Sequence, residues 1–78
     1  MPRIEQITGV LKAVDTDERI LTIAVIGGRR NQDYGYDPET VKQTESDFMD
    51  IISAGTTIIC AASDDVVQRL RLYNPESN

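Results

Sequence analysis

The sequence predicts a mainly β domain in which one helix interrupts a run of five strands, in the order β-β-β-α-β-β. Three observations predict it. Apolar runs such as "ILTIAVI" and "TTIICAAS" are strand-sized and rich in β-branched residues. Turn-forming clusters, "DTDER", "GGRRNQD" and "DD", separate them. One stretch, "DPETVKQTESDFMDIISAG", carries helix start and stop signals.

The elements follow in order. In "RIEQITGVLKAV", Ile4, Ile7, Leu11 and Val14 come close to alternation but are interrupted around Gly9, where a glycine permits a bulge or sharp coil in a long first strand. Asp15 and Asp17 then favour a turn through side-chain to backbone hydrogen bonds. The second strand puts Leu21, Ile23 and Val25 on one face and Ile20, Thr22, Ala24 and Ile26 on the other. A further turn is expected in "GGRRNQD", because Gly27 and Gly28 accept positive φ and Asn31 and Asp33 tolerate left-handed conformations. "DYGYD" is then a short third strand.

Helix signals follow. Asp37 is placed to accept from free backbone N–H groups, Pro38 has the φ required at a first helical position, and Glu39 lies near the positive end of the macrodipole. A second start lies at Thr44, where "TESD" resembles a capping box closed by Asp47. Phe48, Ile51 and Ile52 share one face at i, i+3, i+4, and Gly55 is the expected terminator. Residues 44–54 are the core of this helix; residues 38–43 either continue it or form a separate turn. After the fourth strand and the Asp64–Asp65 turn, "VVQRLRLY" places Leu70 and Leu72 one way and Arg69, Arg71 and Tyr73 the other. "NPESN" is a frayed tail, so a single domain is expected over residues 1–73 with a disordered tail at 74–78.

A chain of 78 residues buries only about 60% of the surface it exposes when unfolded, which leaves room for one small core. Its 40% apolar and 27% charged residues mark it as globular rather than disordered. The start "MPRIEQITGV" has neither the pattern of a signal peptide nor a long apolar run. Cys60 is the one cysteine and sits among Ile58, Ile59, Ala61 and Ala62, as a thiol packed like a small hydrophobe would. A reducing, cytoplasmic setting is the expectation.

The strand–strand–strand–helix–strand–strand layout, with "ITGVLKAVD" in strand one and "FMDIISAGTTI" leading from helix to strand four, resembles the OB-fold. Within that family it is similar to translation-factor and S1-type domains. The resemblance implies a five-stranded OB-like barrel whose helix plugs one end with Phe48, Ile51 and Ile52. The rival architecture is an SH3-like small barrel, in which a mid-chain helix this long is less usual.

Two stretches are candidate binding surfaces. "RRNQDYGY" supplies Arg29, Arg30, Tyr34 and Tyr36, two cations and two aromatic rings of the kind that stack on bases or sugars. On an OB-like barrel they fall at the ligand-binding strand two to three region. The competing and preferred reading turns both tyrosines inward, since Asp33, Gly35 and Asp37 on the opposite face cannot build a core. Arg69, Arg71 and Tyr73 form a second cationic and aromatic stripe, although arginines on an edge strand also serve to discourage edge pairing. The two patches form one anion-binding groove only if strand five neighbours the Arg29–Arg30 turn.

Catalysis is not expected. There is no histidine, no Ser/His pair, no glycine-rich phosphate loop and no metal-ligand spacing. Asp15, Asp17 and Glu18, like Asp64 and Asp65, lack the glycine and distal glutamate of a calcium loop and read as turn residues, so no metal and no cofactor are expected. A net charge of −5 disfavours nucleic acid and membrane plays no part. The leading expectation is a small cytoplasmic protein-interaction module or accessory regulatory subunit that binds a protein partner or itself. The alternative is a single-stranded nucleic-acid-binding domain using the arginine and tyrosine residues named above.

Overall fold

A computed structural model describes residues 3–74. The tail expected at 74–78 falls, apart from Asn74, outside them. Five strands form one closed barrel in the order β1-β2-β3-β5-β4. They are β1 (Ile4–Asp15), β2 (Ile20–Val25), β3 (Asn31–Tyr36), β4 (Thr57–Ser63) and β5 (Val66–Leu72). Between β3 and β4 lie α1 (Pro38–Val41) and α2 (Glu45–Ala54). All neighbours are antiparallel except β3 and β5, which meet in parallel through Gly35 with Val66 and Tyr36 with Val67.

Closure depends on β1, which pairs with β4 over Ile4–Val10 and with β2 over Gly9–Asp15. Such a strand has to coil, and Gly9 sits where both pairings overlap. A Cβ on Gly9 would lie 2.3 Å from the Ala24 carbonyl oxygen and 2.9 Å from the Ile23 side chain. The glycine is therefore required for close backbone approach, and the bulge expected there lies instead between Leu11 and Ala13. That bulge keeps Ile7 and Leu11 inward on one side and lets Val14 pack against the core on the other.

The turns follow their local chemistry. The Asp15 carboxylate accepts from the backbone N–H groups of Asp17 and Glu18 at 3.0 Å. In the next turn only Gly27 takes positive φ, while Asn31 and Asp33, expected in the turn, belong to an extended β3 that starts earlier than anticipated. β4 and β5 are joined by Asp64 and Asp65, both left-handed (φ 53° and 63°), as a two-residue turn of primed type demands. A second bulge on β5, at Gln68, interrupts its register with β4 between Ala61 and Ala62.

Within residues 38–43, Pro38–Val41 form a separate turn of helix. Asp37 caps α1, its carboxylate accepting from Glu39 N–H at 3.0 Å, and Lys42 ends it in the left-handed region. Thr44 then restarts the helix with a complete capping box: Asp47 N–H donates to Thr44 Oγ1 (3.1 Å) and Thr44 N–H to Asp47 Oδ2 (2.9 Å). Gly55, at φ 66°, terminates α2. Phe48 is fully buried with Ile51 beside it and Ile52 half-buried against the same core, so α2 stoppers the barrel as its apolar face implies. Phe48 meets the Tyr36 ring edge-on at 5.2 Å between centroids. The inner layer is completed by Leu21, Ile23, Ile58, Cys60, Ala62 and Val67.

Two outcomes follow. Gly9→Ala drives a methyl into the Ala24 carbonyl, and over-packing of this kind costs about 2 kcal/mol; a urea titration of the variant reads this as a lowered midpoint. The Thr44 backbone N–H, and after it the Thr44 side chain, hold the Asp47 carboxyl below its usual pKa. A lowered folded-state pKa contributes stability that is present above the unfolded value and is lost as pH falls through the folded one. Asp47→Asn is accordingly expected to flatten the acid limb of the stability–pH curve, measured by thermal melts between pH 2 and pH 6.

Candidate functional site

The outer surface of β1, β4 and β5 is where apolar and cationic side chains come together. Cross-strand register sets Gln6, Ala61 and Arg69 in one row and Thr8, Ile59 and Arg71 in the next. Neighbouring strands lie about 4.8 Å apart and i, i+2 residues about 7 Å apart. An open cleft of about 700 Å³ lies over these rows, lined by Ile4, Gln6, Ile59, Ala61, Arg69 and Arg71, with Thr40 and Val41 of α1 along its margin. Ile4 is 74% exposed. Neither the Arg69 nor the Arg71 side chain has a hydrogen bond or ion pair among the described residues. A smaller cleft of about 270 Å³ lies between β5 and α2, bounded by Gln43, Asp47, Asp50, Ile51, Leu70, Arg71 and Leu72.

Beyond its first part β5 has a strand neighbour on one side only, as do the two ends of β1 and the start of β3. Its pairing with β3 stops at Val67, where Asp37 N–H donates to the Val67 carbonyl at 3.1 Å, and the strand continues to Leu72. α1 lies alongside this extension, touching it through Thr40 Oγ1 and the Gln68 side-chain oxygen at 3.4 Å. Tyr73 N–H donates to the Thr57 carbonyl (2.8 Å), which fixes the alternation: Arg69 and Arg71 turn their backbone groups to β4, while Leu70 and Leu72 turn theirs away.

The candidate residues separate accordingly. Arg69 and Arg71 stand exposed on the stripe expected for them, and Tyr73 continues it at 44% exposure. Leu72, on the side opposite the arginines, is 51% exposed, because the ring has no β3 residue beside it at that level. Tyr34 and Tyr36 are not surface rings: at 8% and 7% exposure they belong to the core, Tyr36 against Phe48 and Tyr34 with its hydroxyl donating to Gln32 Oε1 at 2.9 Å. Burial pushes both phenols up from their ordinary pKa. Both rings turn inward, as the preferred of the two sequence readings has it, and neither stands as an exposed stacking surface. Arg29 and Arg30 lie exposed in the β2–β3 turn, at the opposite end of β3 from its contact with β5, so the two cationic patches do not merge. The β2–β3 outer face carries Thr22 hydrogen-bonded to Asp33 (2.8 Å) and no aromatic ring.

Sequence reasoning missed Ile4, Gln6, Ile59 and Ala61 as partners of the arginines. Their common signal, outward parity on neighbouring strands, is readable only once the β1–β4 and β4–β5 registers are known. Cys60 is fully buried at the barrel centre, and burial pushes its thiol up to about 11, so it carries almost no thiolate at neutral pH. Among the described residues no three His, Cys, Asp or Glu side chains converge as metal ligands would.

These features define a small OB-like barrel: mainly β, with the helical segment between the third and fourth strands. Among solved structures it is similar to apo-CusF residues 6–88 from Escherichia coli, with a TM-score of 0.69 over 95% of this chain and 92% of that one, at 14% identity. At that identity the likeness is one of fold. No protein-family model and no curated protein sequence matches the chain.

The buried thiol yields a direct check. Native protein at pH 8 is expected to leave Cys60 unmodified by iodoacetamide over the time in which urea-unfolded protein reacts fully, with the adduct read by mass spectrometry.

Proposed function

We propose that the chain is a small, non-catalytic protein-interaction module, an accessory or regulatory subunit that engages another protein through the outer face of β1, β4 and β5. The observation that carries this reading is the cleft in which two arginine side chains, without partners among the described residues, stand over Ile4, Ile59 and Ala61. Arginine beside exposed apolar surface is the composition of contact-surface centres, and in a chain of net charge −5 it offers a local positive feature to an acidic partner. The absence of histidine and the high pKa of Cys60 support the non-catalytic part. The single buried thiol supports a reducing cytoplasmic setting. A single-stranded nucleic-acid reading draws less support: Tyr34 and Tyr36 are core residues, and Arg29 and Arg30 stand far from Arg69 and Arg71.

The test uses tagged protein on host lysate at modest salt beside an Arg69→Glu/Arg71→Glu variant, whose exposed substitutions leave the fold intact. A defined partner retained by the parent and reduced at least tenfold by the variant is the expected result. Equal recovery by both, or no partner from the lysate, would count against the reading. A shift of the parent on single-stranded oligonucleotide at low salt, lost in the same variant, would favour nucleic acid instead.

A further inference from the structure

We infer that the partner adds a strand to β5, and that the strand it adds alternates acidic with apolar side chains. The inference rests on the interaction-module reading and names the chemistry of that surface. Beyond Val67 the β3-facing side of β5 has no strand neighbour. The alternation fixed by the Tyr73–Thr57 hydrogen bond points the N–H and C=O groups of Leu70 and Leu72 to that side. None of those groups has a backbone or side-chain hydrogen bond among the described residues. An unpaired row of strand N–H and C=O groups of this kind is a ready template for pairing with another chain. An extended segment laid against Leu70–Leu72 supplies those partners, as in recognition by strand addition.

The flanking side chains specify the sequence of that segment. A strand paired with β5 places its own alternate residues beside Arg69 and Arg71 on the outer face and the others beside Leu70 and Leu72 on the inner one. Arg69 and Arg71, about 7 Å apart along the strand, match acidic residues at i, i+2 on an extended neighbour. The inner positions meet Leu70, the half-exposed Leu72 and Ile51 of α2 and take apolar side chains, while Gln43, Asp47 and Asp50 bound the same cleft, so the acidic residues of the added strand belong on the outer face beside Arg69 and Arg71. A lysine-bearing strand is excluded by the arginines. So is a symmetric β5–β5 pairing of two copies, which sets arginine opposite arginine. The occupant is therefore a segment of a different protein.

The probe is a soluble eight-residue peptide of alternating glutamate and valine, titrated into ¹⁵N-labelled protein. Slowing of Leu70 and Leu72 amide exchange by tenfold or more is expected, with shift changes confined to β5, α1 and the start of α2. Arg69→Ala/Arg71→Ala should weaken the peptide at least tenfold. A peptide N-methylated at alternate residues keeps every side chain but loses backbone donors, and should not bind. Equal binding of the N-methylated peptide, equal binding of a lysine–valine peptide, or shifts centred on the Arg29–Arg30 turn would overturn the inference. So would protection of Leu70 and Leu72 that rises with protein concentration and accompanies dimer formation in sedimentation. Should the lysate partner still depend on Arg69 and Arg71 while the peptide leaves β5 untouched, strand addition fails and the module reading stands. A peptide that binds as expected without any lysate partner supports the edge chemistry alone.

Discussion

One strand serves two neighbours, and everything else in the fold is arranged around that demand. β1 must present hydrogen-bonding groups to β4 at one end and to β2 at the other, so it cannot run straight. Gly9 admits the Ala24 carbonyl where the two ladders overlap, and the irregularity after Leu11 resets the side-chain parity so that Val14 can still reach the core. Without both devices the sheet would remain open. An open sheet of this length would leave Leu11, Leu21, Ile23 and Ile58 with solvent on one side, and a chain this small has no second layer with which to cover them.

Closing a cylinder leaves its ends, and here the end is filled from the α1–α2 segment. The two capping signals place that segment at a fixed angle: Asp37 starts one turn, Lys42 breaks it, and Thr44 starts again in a direction that lowers Phe48 onto Tyr36. The same detour carries the chain past β5, which is why β5 outruns β3. The plug and the unpaired stretch of β5 are thus consequences of one connection, and the candidate contact surface exists because the barrel is closed in this way.

Much of this was written in local sequence. The strand order, the Asp15 and Asp64–Asp65 turns, the Thr44–Asp47 cap, the Gly55 stop and the inward Phe48 each depend on residues within a few positions of one another, where turn and cap chemistry act. The inward turn of Tyr34 and Tyr36 was also readable, because Asp33 and Gly35 on the other face leave no alternative core. What escaped was set between distant segments. The Lys12 and Gln68 irregularities answer to the registers of neighbouring strands, and the exposure of Leu72 reflects where β3 stops. The pairing of Ile59 and Ala61 with the arginines turns on the β4–β5 register that the Gln68 bulge resets, and Ile4 joins them only through β1–β4 pairings across more than fifty positions.

The parallel junction of β3 with β5 has a further consequence. Only Gly35 with Val66 and Tyr36 with Val67 hold the cylinder shut along that line, whereas every other junction is a longer antiparallel ladder. As the shortest of the five junctions, this seam is the one at which local opening is expected first, with the hairpins left intact.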